Sequence, residues 1–281
     1  MSTAVVVVGM HRSGTSALAR GLKALSVNLG ENFFDLQPDN PTGYWEDRSV
    51  VALNQRVLEE LNLKWDDTHL ISSDRLRHYR VRLVQYKAAY YLKGAFNGCA
   101  LWGFKDPRTI RLLPFWRETL RRCEADDRYL VAIRHPRSVA ASLFRRQQIP
   151  LEKAQRLWLV HNVPFLHELR DRPFVVVDYD LLSASPHEQL ERIARALDLP
   201  FDAAILAQID AFAGDFLDAG LRHNVFASDD FDRTTGAGRL ARTAYLALHD
   251  LATGRSQPAA DFWSSWMAIQ EELEALPGTS A

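Results

Sequence analysis

The chain has 281 residues, with 34 Lys and Arg against 35 Asp and Glu, for a formal net charge of −1. That balance argues against a protein that holds duplex nucleic acid by charge alone or rests on an anionic membrane through a large basic excess. With 47% hydrophobic and 25% charged residues it falls among folded globular chains, and residues 1–281 read as a single domain.

The two cysteines, Cys99 and Cys123, sit in no C-x-x-C or Cys/His cluster, so neither a disulfide scaffold nor a zinc site is expected. No stretch approaches the roughly 18 consecutive apolar residues of a membrane span. The run from Ala4 to Val8 is too short for a signal-peptide core, and the expected location is the cytoplasm.

In chain order, residues 4–8 (AVVVV) come first and read as a buried strand, because consecutive rather than alternate positions are apolar. The strand runs into Gly9, four residues intervene, Gly14 follows, and a helix marked by Leu18, Leu22 and Leu25 begins near Thr15. This is the frame of an anion-cradling loop, in which backbone N–H groups and a helix N-terminus point at a phosphate. The lysine of the nucleoside-triphosphate version would fall at position 15, which is Thr; the cation of this loop is Arg12. A turn at Asn40–Gly43 leads to Tyr44, Trp45, Glu46 and Asp47, just before a helix carrying Val50, Leu53, Val57 and Leu61. The two aromatics would desolvate Glu46, a candidate general base; equally, Glu46 and Asp47 would complement the helix N-terminus. Leu76, Tyr79, Leu83, Tyr86 and Tyr90 recur at three- or four-residue steps and predict a further amphipathic helix.

Residues 100–104, 129–133 and 174–177 read as further buried strands. The first ends in G-F-K-D-P-R-T, where Lys105, Asp106 and Arg108 cluster and Asp106 would cap a turn beginning at Pro107. The second ends at Arg134, followed by a helix opened by Pro136 with Ser138 and Ser142 one turn apart on one face. A fixed guanidinium next to a helix hydroxyl makes an anion clamp. Pro164 breaks the helical stretch 151–169, residues 214–238 read as a long loop, and two helical segments lie around 240–251 and 259–276. Alternating elements predict an α/β fold of P-loop type, a doubly wound and mainly parallel sheet flanked by helices, with a helical C-terminal portion. Trp65, Trp102, Trp116 and Trp158 would either fill the core or line a pocket. Charge is uneven along the chain: residues 105–146 hold eleven cations against five carboxylates, and residues 202–281 five against twelve.

The segment G-M-H-R-S-G-T-S-A-L resembles the 5′-phosphosulfate loop of sulfotransferases that use 3′-phosphoadenosine-5′-phosphosulfate, particularly bacterial members and those related to protein-tyrosine sulfotransferases. A-I-R-H-P-R-S-V-A-A-S-L is similar to their 3′-phosphate motif, and G-F-K-D-P-R-T to a Lys-Asp-Pro segment of the tyrosine and some bacterial enzymes. The V-V-V-D-Y-D-L-L run at 175–182 resembles a family strand that usually ends in Tyr-Glu, with Asp180 where Glu is commoner. The resemblance implies that Arg12 contacts the bridging and sulfuryl oxygens, that Ser13, Gly14, Thr15 and Ser16 hold the 5′-phosphate, and that Arg134 and Ser142 hold the 3′-phosphate. Lys105 would stabilise the transferring group and Glu46 would be the base, with His11 and Asp106 in reserve. No metal is implied. The acceptor is left open among a small molecule, a glycan and a tyrosine peptide, as is the oligomeric state. T-T-G-A-G-R at 234–239 is a weak match to the family's glycine-rich cofactor segment. A P-loop kinase, with Val175–Asp178 as a Mg²⁺-holding strand end, and a non-catalytic nucleotide-binding module are the competing readings.

Overall fold

The computed structural model describes residues 2–35, 43–215, 226 and 230–279; most of the turn expected at Asn40–Gly43 and most of the 214–238 loop lie outside them. Among the described residues four strands form one parallel sheet: β1 (Ser2–Gly9), β2 (Leu101–Lys105), β3 (Ala125–Ile133) and β4 (Phe174–Asp178), in the order β2-β1-β3-β4. β3 starts four residues before the apolar run that announced it, because its Asp126 and Asp127 still pair with Thr3 and Ala4 of β1.

The helices are α1 (Thr15–Ala24), α2 (Arg48–Glu60), α3 (Ser73–Leu76), α4 (Tyr79–Ala95), α5 (Leu113–Arg122), α6 (Pro136–Gln147), α7 (Leu151–Asn162), α8 (Tyr179–Ala184), α9 (Pro186–Ala196), α10 (Ala203–Asp215), α11 (Gly236–Ala252) and α12 (Ala260–Ala275). The four-valine run is buried throughout because both faces of β1 are covered. Val5 and Val7 meet α1, α9 and α10 on one side, while Ala4, Val6 and Val8 meet the larger layer containing α2, α4, α5, α7, α11 and α12 on the other. α7 ends at Asn162, two residues before Pro164, and a 3₁₀ turn at Leu166–Leu169 follows. α10, which no motif announced, buries Ile205, Ile209 and Phe212. Trp102, Trp116 and Trp158 are core residues.

α4 reverses one expectation. The stripe read as its buried face is its solvent face: Tyr79 is 60% exposed, Leu83 58%, Tyr86 52% and Tyr90 85%. Val81, Val84, Ala88 and Leu92 are buried instead. The helix carries two apolar faces, and compact aliphatic side chains pack closely against α2 and α5 while the tyrosines keep their hydroxyls in water.

All four strands point the same way, and register pairs Val7 with Lys105, Gly9 with Ala132 and Ile133 with Asp178. Gly9, Lys105, Arg134 and Tyr179 therefore emerge along one edge. The chain winds from β1 toward β2 and then back across to β3, so the loop after β1 sits where the winding reverses, the usual crevice of open α/β sheets.

Candidate active site

The loop Gly9–Gly14 links β1 to α1 at this edge. Gly9 has φ 143°, and a Cβ there would lie 2.4 Å from the Ala132 carbonyl oxygen, so the loop leaves the sheet against β3 only with glycine. Gly14 caps α1 in the left-handed conformation, and no acidic residue occupies the first turn of the helix. The first N–H groups of α1 thus open toward the strand edge without a carboxylate of that turn to fill them. The Ser13 hydroxyl is buried and has no hydrogen-bond partner among the described residues; Thr15 is buried as well.

Lys105, at the end of β2, is 2% exposed. Its Nζ donates to Glu46 Oε1 at 2.7 Å, to the Tyr44 carbonyl at 2.9 Å and to Ser16 Oγ at 3.2 Å. An ammonium has three N–H donors, and these contacts use all of them. The Ser16 hydroxyl in turn donates to the Tyr44 carbonyl at 3.1 Å. Loop, strand end and the segment before α2 are therefore joined by one buried cation. The Trp45 ring packs against Phe33 with Lys23 5.2 Å above it, and the Tyr44 hydroxyl accepts from Arg146. Asp47, not Glu46, caps α2, accepting from the N–H groups of Ser49 and Val50, and its other oxygen accepts from the Tyr91 hydroxyl at 2.6 Å.

Arg12 has φ 69°, and its Nε donates to Ser142 Oγ of α6 at 2.8 Å, tying the first motif to the second. Arg134 lies with its guanidinium 4.6 Å over the Tyr179 ring. Tyr179 also covers Gly14 so closely that a Cβ on Gly14 would meet Cδ2 at 2.2 Å. This tyrosine lies in the V-V-V-D-Y-D-L-L run, for which motif reading assigned no site residue. Ser138 is fully buried, and its hydroxyl, like that of Ser13, has no partner among the described residues.

The reserve bases differ from Glu46. Asp106 is buried, caps the 3₁₀ turn at Pro107–Leu112, and receives Arg108 Nη1 on both oxygens at 3.0 and 2.9 Å. Burial raises its pKa, and both of its oxygens already accept from Arg108. His11 is held neutral, first by burial and then by the nearby charges of Arg108 and Lys105; its Nε2 is buried without a hydrogen-bond partner among the described residues, and its ring lies 4.6 Å from that of Trp65. Asp178, the proposed Mg²⁺ ligand of a kinase, accepts from the Asp180 N–H at 2.7 Å and the Tyr245 hydroxyl at 2.9 Å, so one contact engages each oxygen. T-T-G-A-G-R opens α11, with Thr235 as its cap, accepting from the Gly238 N–H.

The sequence profile of the sulfotransferase family matches residues 4–203, which contain every one of these groups except Tyr245 and the 234–239 segment. The chain belongs to the sulfotransferase family. Among solved structures, this sulfotransferase is similar to the sulfotransferase domain from the Synechococcus PCC 7002 olefin synthase, at 18% identity and TM-score 0.46 over 98% of this chain and 96% of that one. It is also similar to a sulfotransferase from Mycobacterium tuberculosis H37Rv, at 16% identity and TM-score 0.42 over 77% and 74%. A third is the sulfotransferase domain from the curacin biosynthetic pathway, at 18% identity and TM-score 0.40 over 98% of each. No curated protein sequence matches significantly. Among the described residues of the sulfotransferase, no helix is long and apolar enough to cross a membrane and no His/Cys/Asp/Glu group is arranged to hold a metal ion.

Proposed function

We propose that this sulfotransferase moves a sulfuryl group from 3′-phosphoadenosine-5′-phosphosulfate to a hydroxyl or amine of an acceptor: a small molecule, a glycan or a tyrosine peptide. The observation that carries the reading is the buried cluster of Lys105, Glu46 and Ser16 at the mouth of the anion loop. Lys105 is within hydrogen-bond reach of both Glu46 and Ser16, which supports roles as charge stabiliser, carboxylate base and part of the phosphate cradle.

The residues suit a donor with phosphate at both ends. Ser13, Gly14, Thr15 and Ser16 would hold the 5′-phosphate, and Arg134 and Ser142 the 3′-phosphate. The two buried hydroxyls of Ser13 and Ser138 stand ready to donate to such oxygens. Bound there, the donor supplies the sulfuryl group and a phosphate leaving group. Arg12 and Lys105 offset charge developing on the transferring oxygens; a preorganised donor of this kind contributes about 10²–10³-fold in rate. Lys105 has no spare N–H, so turning toward an anion means releasing a present contact. Release of Glu46 frees that carboxylate to take the acceptor's proton, a step worth about 10²–10⁴-fold.

The kinase reading is disfavoured by Thr15 at the lysine position. The test is transfer of labelled sulfate from the donor to components of a cell extract, without added metal. Wild-type protein should label a product and Glu46→Gln should do so at least about 10²-fold more slowly. Undiminished transfer by Glu46→Gln would remove its role, and Mg²⁺-dependent ATP turnover in place of sulfate transfer would restore the kinase.

A further inference from the structure

The outward face of α4 has no part in the site described above. Tyr79, Leu83, Tyr86 and Tyr90 stand on it at steps of four, three and four residues, which at 3.6 residues per turn places them within a sector of about 60°. Exposed cations border the row on both sides: Arg82 and Lys93 on one flank, Arg80 and Lys87 on the other. α4 carries no carboxylate, and from residue 75 to residue 105 the chain has seven cations and no acid. Arg80 reaches Glu60 at 3.8 Å, whereas Arg82, Lys87 and Lys93 have no carboxylate within ion-pair distance among the described residues. Next to this face, Lys93, Arg121 and Arg122 rim a shallow groove with Tyr86, Tyr90 and Glu124, and the Arg122 guanidinium lies 4.6 Å over the Tyr86 ring. Glu118 pairs with both Arg121 and Arg122, so the uncompensated charge belongs chiefly to α4.

We infer that this face docks the protein on an anionic phospholipid surface. Large exposed apolar side chains in a continuous row need a reason, and unpaired cations beside them select a negative partner. A second copy of the chain fits poorly, because facing α4 helices would set cations against cations. An acidic partner helix would need a seat between two helices, and the groove beside α5 takes only Tyr86 and Tyr90 of the four. The row instead stands on the crest of one helix with cations on both flanks, so that rings and charged ends reach a common plane. Tyrosine rings sit at headgroup depth while Lys and Arg stems extend to phosphate and carboxylate groups. The near-neutral total charge conceals this face because the acidic C-terminal portion balances it.

The test is co-sedimentation of the full chain with vesicles of phosphatidylcholine alone and with roughly one third phosphatidylserine, at about 0.1 M and about 0.5 M salt. Binding should be at least about tenfold stronger on the anionic vesicles at low salt and should fall at high salt. Leu83→Asp and the pair Lys87→Glu/Lys93→Glu should each weaken it about tenfold with an unchanged melting temperature, since these side chains are exposed. Four outcomes would overturn the proposal. They are no preference for anionic vesicles, binding indifferent to these substitutions, binding to polyglutamate but not to vesicles, and a concentration-dependent dimer that Leu83→Asp dissolves.

Discussion

The pair formed by Lys105 and Glu46 makes a quantitative prediction about stability. Lys105 is 2% exposed and Glu46 14% at the side chain. Lys105→Met removes the ammonium while keeping most of its volume, so the Glu46 carboxylate and Ser16 Oγ lose the Lys105 donor, while the Tyr44 carbonyl keeps the Ser16 hydroxyl. Removing one member of a buried pair costs about 3–5 kcal/mol. The partial access of Glu46 to water places the expected cost near the lower end, about 3 kcal/mol. Glu46→Gln keeps an acceptor oxygen for Lys105 but leaves that more deeply buried ammonium without a counter-charge, so it should also cost about 3 kcal/mol. In the double variant no carboxylate is left uncompensated, so its cost should fall below the sum of the two by at least about 1 kcal/mol. Urea unfolding of the four proteins at neutral pH, followed by far-ultraviolet circular dichroism, measures this coupling. Additivity within about 0.5 kcal/mol would show that the two side chains do not share a buried ion pair and would refute the reasoning.

Gly14→Ala should lose about 2–4 kcal/mol, from a left-handed alanine and from overlap with Tyr179, and should weaken binding of adenosine 3′,5′-bisphosphate more than about tenfold. Adding Tyr179→Ala should recover the overlap part of the melting loss, and no recovery would show that the ring does not press on the loop. His135, 1% exposed, has its pKa lowered to about 4, principally by burial. Its contribution to stability is complete above the unfolded value of 6.5 and is lost as pH falls toward 4, because the unfolded chain takes up the proton first. The loss amounts to about 3 kcal/mol across that window. His135→Asn, which can still accept from the Arg137 N–H, should flatten this part of the urea midpoint's pH dependence; an unchanged profile would remove His135 from the account.

Much of the site could be read before the fold was known because its parts are local. Gly9 and Gly14 are demanded by backbone conformation, and Lys105 and Arg134 directly close or follow apolar runs that could only be strands. What could not be read was how distant parts meet. Glu46 and Lys105 are 59 positions apart, and the sequence identified each without pairing them. Arg12 and Ser142, assigned to opposite ends of the donor, touch each other across 130 positions. Tyr179 falls in the V-V-V-D-Y-D-L-L run, but its place in the site follows from the closeness of the β4 end to Gly14, which no motif states. The face of α4 was misread for a different reason. Its tyrosine row and its aliphatic row have the same period, and only packing density decides which goes inside. α10 escaped because its composition is apolar around much of its circumference, which blurs the helical period.

In the proposed function, Arg12 and Arg134 at one sheet edge bind the two phosphate ends of a single nucleotide. Calorimetric titration with adenosine 3′,5′-bisphosphate, in buffer without divalent metal, tests it most directly. Binding by the wild-type chain should be saturable, weakened roughly 10- to 100-fold in Arg12→Ala and again in Arg134→Ala, as befits loss of one charge-assisted contact each. Failure of the wild-type chain to bind, or binding by both variants as tight as that of the wild type, would remove the two-phosphate site.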